Sequence, residues 1–200
     1  MTGFEPKPFH IIDTPEGLKA FTDPLRLRVL NILRQRAATN QQVADTLGEP
    51  HAKVLYHIRI LLDAGLIQLV DQQIKGGNVE KYYRAIANLF GLRVGGGPVP
   101  GVVAAMLEVA QQEAVASEVA WPADLPLTET RRARMSPERR AEFFRRVNEL
   151  IAEYWGGPVP GGQDGEEVVL TPEEDPAMPR YALAVVTYRD PTAPGAGETP

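Results

Sequence analysis

From Asp23 to Phe90 the apolar positions change period along the chain, and each change marks an element. Leu25, Leu27, Val29, Leu30, Ile32 and Leu33 are too dense for a narrow stripe, so they predict a helix buried on a wide face, with Arg26, Arg28, Arg34 and Arg36 turned outward and an end near Ala37. Asp23-Pro24 starts it, since Asp caps free N–H groups and Pro loses no bond at the first helical position. Thr39-Asn40-Gln41-Gln42 fits a capping box and opens a short helix through Val43, Ala44 and Leu47 that ends at Gly48. A third helix is expected from His51 to Ala64, with Val54, Ile58, Leu61 and Leu62 on one side and Gly65 as its stop. LIQLV at 66–70 and YYRAI at 82–86 then read as strands joined by a polar loop that holds Lys75-Gly76-Gly77-Asn78.

Beyond residue 90 the pattern breaks into shorter pieces. Val102, Val103, Met106, Leu107, Ala110 and Ala114 form one wide stripe on a helix at 101–118. Ser136-Pro137-Glu138 caps and starts another, on which Phe143, Val147, Leu150, Ile151 and Tyr154 keep helical spacing. EVVLT at 167–171 and RYALAVVTY at 180–188 are strand candidates for an antiparallel pair. The hexapeptide GGPVPG occurs at 96–101 and again at 156–161; the flanks differ, so both copies read as connectors rather than as a repeated unit. The expected division is an N-terminal arm at 1–15, a first domain at 16–92, a linker at 93–101, a C-terminal dimerisation or effector region at 102–189 and a disordered tail at 190–200.

Composition follows the same division. Gly and Pro are 18 each among 200 residues, and only 11 of these 36 precede residue 91. Residues 1–90 balance at +2 and residues 91–200 at −7, within a net charge of −5. Cysteine is absent, which excludes disulfides, thiolate metal sites and thiol catalysis. With Ser only at 117 and 136 and His only at 10, 51 and 57, a nucleophilic triad has almost nothing to be built from, and no enzyme is expected. No apolar run approaches the roughly 18 residues of a membrane span, and the N-terminus has neither a basic start nor an apolar signal core, so a cytoplasmic protein is expected.

The order helix, helix, turn, helix, hairpin is that of a winged helix-turn-helix, making the fold class α+β and mainly α, with a small helical and β region after it. FTDPLRLRVLNILRQ, NQQVADTLG, KVLYHIRILLDAGLI and KGGNVEKYYRAI, in this order and with these gaps, resemble the ArsR-type family of bacterial transcription regulators over about residues 16–90. The resemblance implies a dimer that binds a two-half-site operator on double-stranded DNA, with 51–64 as the recognition helix and 72–81 as the wing. A winged module for protein interaction or assembly, without sequence-specific DNA binding, is the rival, since fold does not imply function. The chain departs from the family pattern at Glu49-Pro50, where an aliphatic residue and a hydroxyl cap are usual, and at Lys53 and Leu55, often Thr and Ser there. Metal sensing of the family's thiolate kind has no ligands in this sequence, and no cofactor is expected.

Helical geometry with Val54, Ile58, Leu61 and Leu62 inside turns Ala52, Lys53, Tyr56, Arg59 and Ile60 outward, with His51 at the helix entrance. Lys53, Tyr56 and Arg59 are residue types that meet phosphates, guanine edges or a thymine methyl. His57, beside the buried side, reads equally as a backbone contact or as a structural hydrogen bond within the packing. By the resemblance Thr39, Gln41 and Gln42 join the DNA-facing set from the preceding helix, and Lys75, Asn78 and Lys81 from the wing. Arginines at 131, 132, 134, 139, 140, 145 and 146 read as a solvated helix face paired with Glu138, Glu142 and Glu149, or as an anion site. Trp121, Phe143, Phe144, Tyr154 and Trp155 read as core, or as the lining of a pocket for a small-molecule effector.

Overall fold

Side-chain caps set the helical register of the first domain. In the computed structural model, which describes residues 3–92, 99–123, 133–160, 167–170 and 183, helix α2 (Pro24–Gln35) starts where the Asp23 carboxylate accepts from the Arg26 N–H at 2.9 Å. Before it lie strand β1 (Lys7–Ile12) and the short helix α1 (Pro15–Ala20). A two-residue strand β2 (Ala38–Thr39) leads into α3 (Asn40–Leu47), whose capping box is complete: Gln42 N–H donates to the Thr39 hydroxyl at 3.2 Å, and Thr39 N–H donates to the Gln42 side chain at 3.0 Å. Gly48 closes α3 at φ 64°, a left-handed conformation that favours glycine. Helix α4 (His51–Asp63) follows directly and is entered through Pro50.

Strand β3 (Ile67–Lys75) pairs antiparallel with β4 (Asn78–Ala85), and β2 adds to the other edge of β4, giving the order β2-β4-β3. The hairpin is longer than the expected 66–70 and 82–86, because polar residues such as Asp71, Gln72 and Gln73 continue the ladder up to a two-residue turn at Gly76-Gly77. The register shifts between Leu69 and Asp71 at a bulge. Past that bulge Lys75, Asn78, Glu80 and Tyr82 share one face of the hairpin, while Ile74, Val79, Lys81 and Tyr83 share the other.

The core lies between α2, α3, α4 and the sheet. Val29, Leu30, Leu33, Val43, Val54, Ile58, Leu61 and Leu66 are fully buried in one cluster, which extends to Ile12, Leu18 and Phe21. Two arginines expected to face outward fold back onto the backbone instead. Arg26 donates to the Ala20 and Lys19 carbonyls at 3.0 and 3.1 Å, and Arg34 donates to the Asn88 carbonyl at 2.6 Å, so both tie α2 to its neighbours.

The supposed arm is part of the fold. Strand β1 pairs in parallel with β5 (Ala87–Leu92), from Lys7 against Ala87 to Ile12 against Leu92. Gly91 allows this approach: a Cβ there would lie 2.5 Å from Cζ of Phe9. Helix α5 (Val102–Ala120) packs on α2 through Val102, Ala105 and Val109 and not through the whole expected stripe; Val103, Met106 and Leu107 are exposed. Helix α6 (Pro137–Trp155) is capped by Ser136 as expected, and most of its apolar stripe is exposed or half-buried. The second GGPVPG is no connector: Gly157–Pro160 forms β6, antiparallel to β7 (Glu167–Leu170). A short edge strand tolerates proline, which has no N–H to leave unpaired. Residues 93–98, most of 180–188 and the tail at 190–200 lie outside the described residues.

Candidate nucleic-acid interface

Helix α4 separates its faces cleanly. Val54, Ile58 and Leu61 are buried, while His51, Ala52, Lys53, Tyr56 and Arg59 are exposed, as the spacing predicts; Ile60 is half-buried. Asn40, which sequence reasoning passed over, fixes the angle of α3 to α4 by donating from its side chain to the His51 carbonyl at 3.2 Å. A polar residue at the first position of α3 was the only signal for it.

The expected site residues divide into groups. Thr39 is buried and its hydroxyl oxygen accepts the capping N–H, so a direct contact through it is corrected, on its burial, to a role in setting α3. Gln42 is half-buried in the same box. Gln41 is exposed and donates to Asp45 at 3.1 and 3.2 Å. His51 Nε2 lies 3.4 Å from the same Asp45 carboxylate. Lys53 Nζ pairs with Glu49 at 2.9 Å, and Lys75 Nζ with Glu80 at 3.0 Å, the latter supported by the Tyr82 hydroxyl. Arg59 and Lys81 make no ion pair with any described residue.

These last two share a side of the molecule. Arg59 is close enough to Tyr83 to act on its hydroxyl electrostatically, and Tyr83 alternates onto the same hairpin face as Lys81. The wing lysines therefore point to opposite faces. Lys81 continues the exposed surface of α4, whereas Lys75 sits with Asn78 on the far face. Ile74 and Val79, opposite each other and exposed, complete the Lys81 face near the tip.

His57 is only 6 % exposed, which excludes it from direct contact with a ligand on the outer face of α4. Its Nδ1 has no hydrogen-bond partner and stands 3.7 Å from the Asp23 carboxylate, and its ring meets Tyr56 edge-on at 5.3 Å. Burial pushes its pKa below 6.5, and the attraction of Asp23, opposed by Arg26 and Lys53, does not restore it. The unfolded chain therefore takes up this proton more readily than the folded one, so stability falls as pH drops through 6.5. Urea midpoints should decline between pH 7.5 and 5.5, and His57→Gln should flatten that decline; an equally steep decline in the variant would remove His57 as its cause.

The described C-terminal residues, among which Arg131 and Arg132 are not included, gather no comparable site. Arg145 is held by Glu142 and Glu149 at 2.7 and 2.6 Å, Arg146 by Glu142 at 2.6 Å, and Arg140 stacks over Phe144 at 4.6 Å, as a solvated helix face would be. Hydrogen bonds from Arg145 and Arg146 pull the Glu142 pKa down to about 2. Phe143 contacts Phe144 and Tyr154 contacts Trp155, while Trp121 is largely exposed. Two shallow cavities of about 270 and 290 Å³ lie around Asp23, Lys53, His57 and Gln112 of α5, and around Lys19, Arg26 and Tyr56. Among the described residues no group of three or more His, Asp or Glu could hold a metal ion, and no helix is long and apolar enough to cross a membrane.

A buried scaffold of α2 and α3, an outward-facing α4 and a hairpin beside it define a winged helix-turn-helix domain. Residues 21–70 match the family model described as helix-turn-helix domain, in agreement with the helix-turn-helix read from the sequence. Similar solved structures include the homodimeric winged helix-turn-helix DNA-binding domain of a possible ArsR-family transcriptional regulator from Mycobacterium bovis, 20 % identical, covering 56 % of this chain and 85 % of that one with a TM-score of 0.30. A MarR-family transcriptional regulator from Silicibacter pomeroyi is 12 % identical over 68 % of this chain and 75 % of its own, with a TM-score of 0.30. The apo form of a mutant ZitR from Lactococcus lactis is 14 % identical over 66 % and 82 %, with a TM-score of 0.28. No curated protein matches the sequence.

Proposed function

We propose that this protein is a dimeric DNA-binding transcription regulator that reads a two-half-site operator with α4 and steadies it with the β3–β4 wing. The observation that carries this reading is the outward surface of α4, where Tyr56 and Arg59 stand exposed over a fully buried Val54, Ile58 and Leu61, continued by Lys81 on the wing. Arg59 and Lys81 supply cations to phosphates or base edges, and Tyr56 supplies a hydroxyl and a ring. A net charge of −5 does not oppose this, because the local surface sets the field at the DNA. Thiolate metal sensing has no cysteine to work with. Residues 16–92 form the reading domain on this account, and 102–189 pair subunits or sense a ligand.

Helix α5 supports the dimer. One side of it packs on α2, and Val103, Met106 and Leu107 remain exposed along another. Two copies pairing along that surface would present two α4 helices to the same DNA, and the second contact then adds affinity as an intramolecular event. Sedimentation of the intact protein should give a dimer, and Leu107→Glu should give a monomer with weaker retention of its own promoter fragment in a gel shift. A wild-type monomer, or retention no better than that of random DNA at moderate salt, would count against the reading and favour a protein-interaction module.

A further inference from the structure

The surface proposed to meet DNA carries its own anions. Glu49, at the turn before α4, places Oε2 at 2.9 Å from Lys53 Nζ, and its side chain is 23 % exposed against 53 % for the lysine. Beyond a weak attraction for His57, this pair is the contact the carboxylate makes among the described residues. Helix α4 is entered through Pro50 with no side-chain cap, and among the described residues Lys53 is the hydrogen-bond partner of the Glu49 carboxylate. Asp45 likewise faces His51 and accepts from the Gln41 amide, whereas Arg59 and Lys81 have no carboxylate partner among the described residues.

We propose that Glu49 acts as an internal phosphate mimic, occupying on Lys53 the place a DNA phosphate would take and so withholding this cation from duplexes that offer little else. The inference rests on the DNA-binding reading above. Both partners of the pair are held one helical turn apart on the same chain, so the contact forms without any cost of association, yet a half-exposed ion pair is weak enough for a phosphate to displace. At a site where Tyr56, Arg59 and the wing also find partners, Lys53 exchanges its carboxylate for a phosphate. On random sequence it stays with Glu49. Glu49 thereby widens the ratio of specific to non-specific affinity, which is the quantity a regulator needs among a genome of competing sites.

A double-mutant cycle on the intact protein tests this with a fluorescein-labelled random-sequence duplex, followed by anisotropy from low to moderate salt. Glu49→Gln should tighten binding about three- to tenfold and steepen the slope of log K against log salt by about 0.9, the value for one added phosphate contact. The same change made on top of Lys53→Ala should do nothing. Equal affinity of Glu49→Gln and wild type would overturn the proposal. So would a tightening that persists undiminished in the Lys53→Ala background, because Glu49 would then act by general repulsion rather than through Lys53. If folded wild type shows no salt-dependent binding at all, the DNA-binding reading falls and takes this inference with it; if wild type binds and Glu49→Gln changes nothing, only the inference falls.

Discussion

Ile58→Ala should destabilise the first domain by about 3 kcal/mol, the middle of the range for truncating a fully buried aliphatic side chain. Ile58 is completely enclosed, sharing a cluster with Val29, Leu30, Leu33, Val43, Val54 and Leu61, so removal of its outer carbons leaves a cavity that close-packed neighbours on α2 and α3 cannot all fill. The change is large beside the roughly 5–15 kcal/mol that holds a domain folded. Its functional consequence is indirect. Ile58 presses α4 onto the scaffold, and the outward angle of Tyr56 and Arg59 depends on that seat. Urea denaturation checks the magnitude, with Tyr56→Ala as the companion: Tyr56 is 60 % exposed, so its truncation should move stability by no more than about 0.5 kcal/mol. Equal losses in the two variants would contradict the division of α4 into a buried and a reading face.

Arg59→Ala combined with Lys81→Ala should weaken binding to duplex DNA by roughly two orders of magnitude at low salt and reduce the salt slope by about 2, one unit for each phosphate contact removed. Lys53 and Lys75, by contrast, have carboxylates on them at 2.9 and 3.0 Å. Both positions are exposed, so the fold should be unchanged. Anisotropy at several salt concentrations gives affinity and slope together. Lys75→Ala should change the slope less than Lys81→Ala, since Lys75 lies on the opposite face of the hairpin with Glu80 and Tyr82. If Lys75 proves the more important of the two, DNA lies against the other side of the wing.

The first domain was legible in the sequence where local chemistry settles structure. Asp23-Pro24, the Thr39–Gln42 box and the glycines at 48 and 65 each fix a boundary within a few residues, and the apolar spacing of α4 separates its faces without tertiary information. What escaped is non-local. Strand β1 carries Pro8 and shows no clean alternation, and its partner β5 lies beyond the whole helical domain, so nothing near either segment announces a parallel pair. The ladder past Val70 is made by polar residues whose pairing comes from the turn and not from burial. Strand β6 was hidden by proline and glycine, which read as punctuation until an edge strand pairs with them.

The candidate site shows the same limit. Spacing placed Lys53, Tyr56 and Arg59 on the outer surface, but it could not reveal that Lys53 and His51 face carboxylates contributed by the preceding turn and by α3. Nor could it decide His57, whose burial depends on the start of α2 packing beside it. Thr39 appeared twice in the sequence reading, as a cap and as a DNA contact; its oxygen makes the cap, and its burial takes it away from the outer surface.

The most direct test of the account is a hydroxyl-radical footprint of the intact protein on a fragment it retains in preference to random DNA. Two α4 helices on a symmetric dimer predict two protected patches on one side of the duplex, centred one helical turn, about 10–10.5 base pairs, or a multiple of it apart. Protection without that spacing, or none at concentrations that shift the fragment, would contradict a dimer that reads paired half-sites through α4.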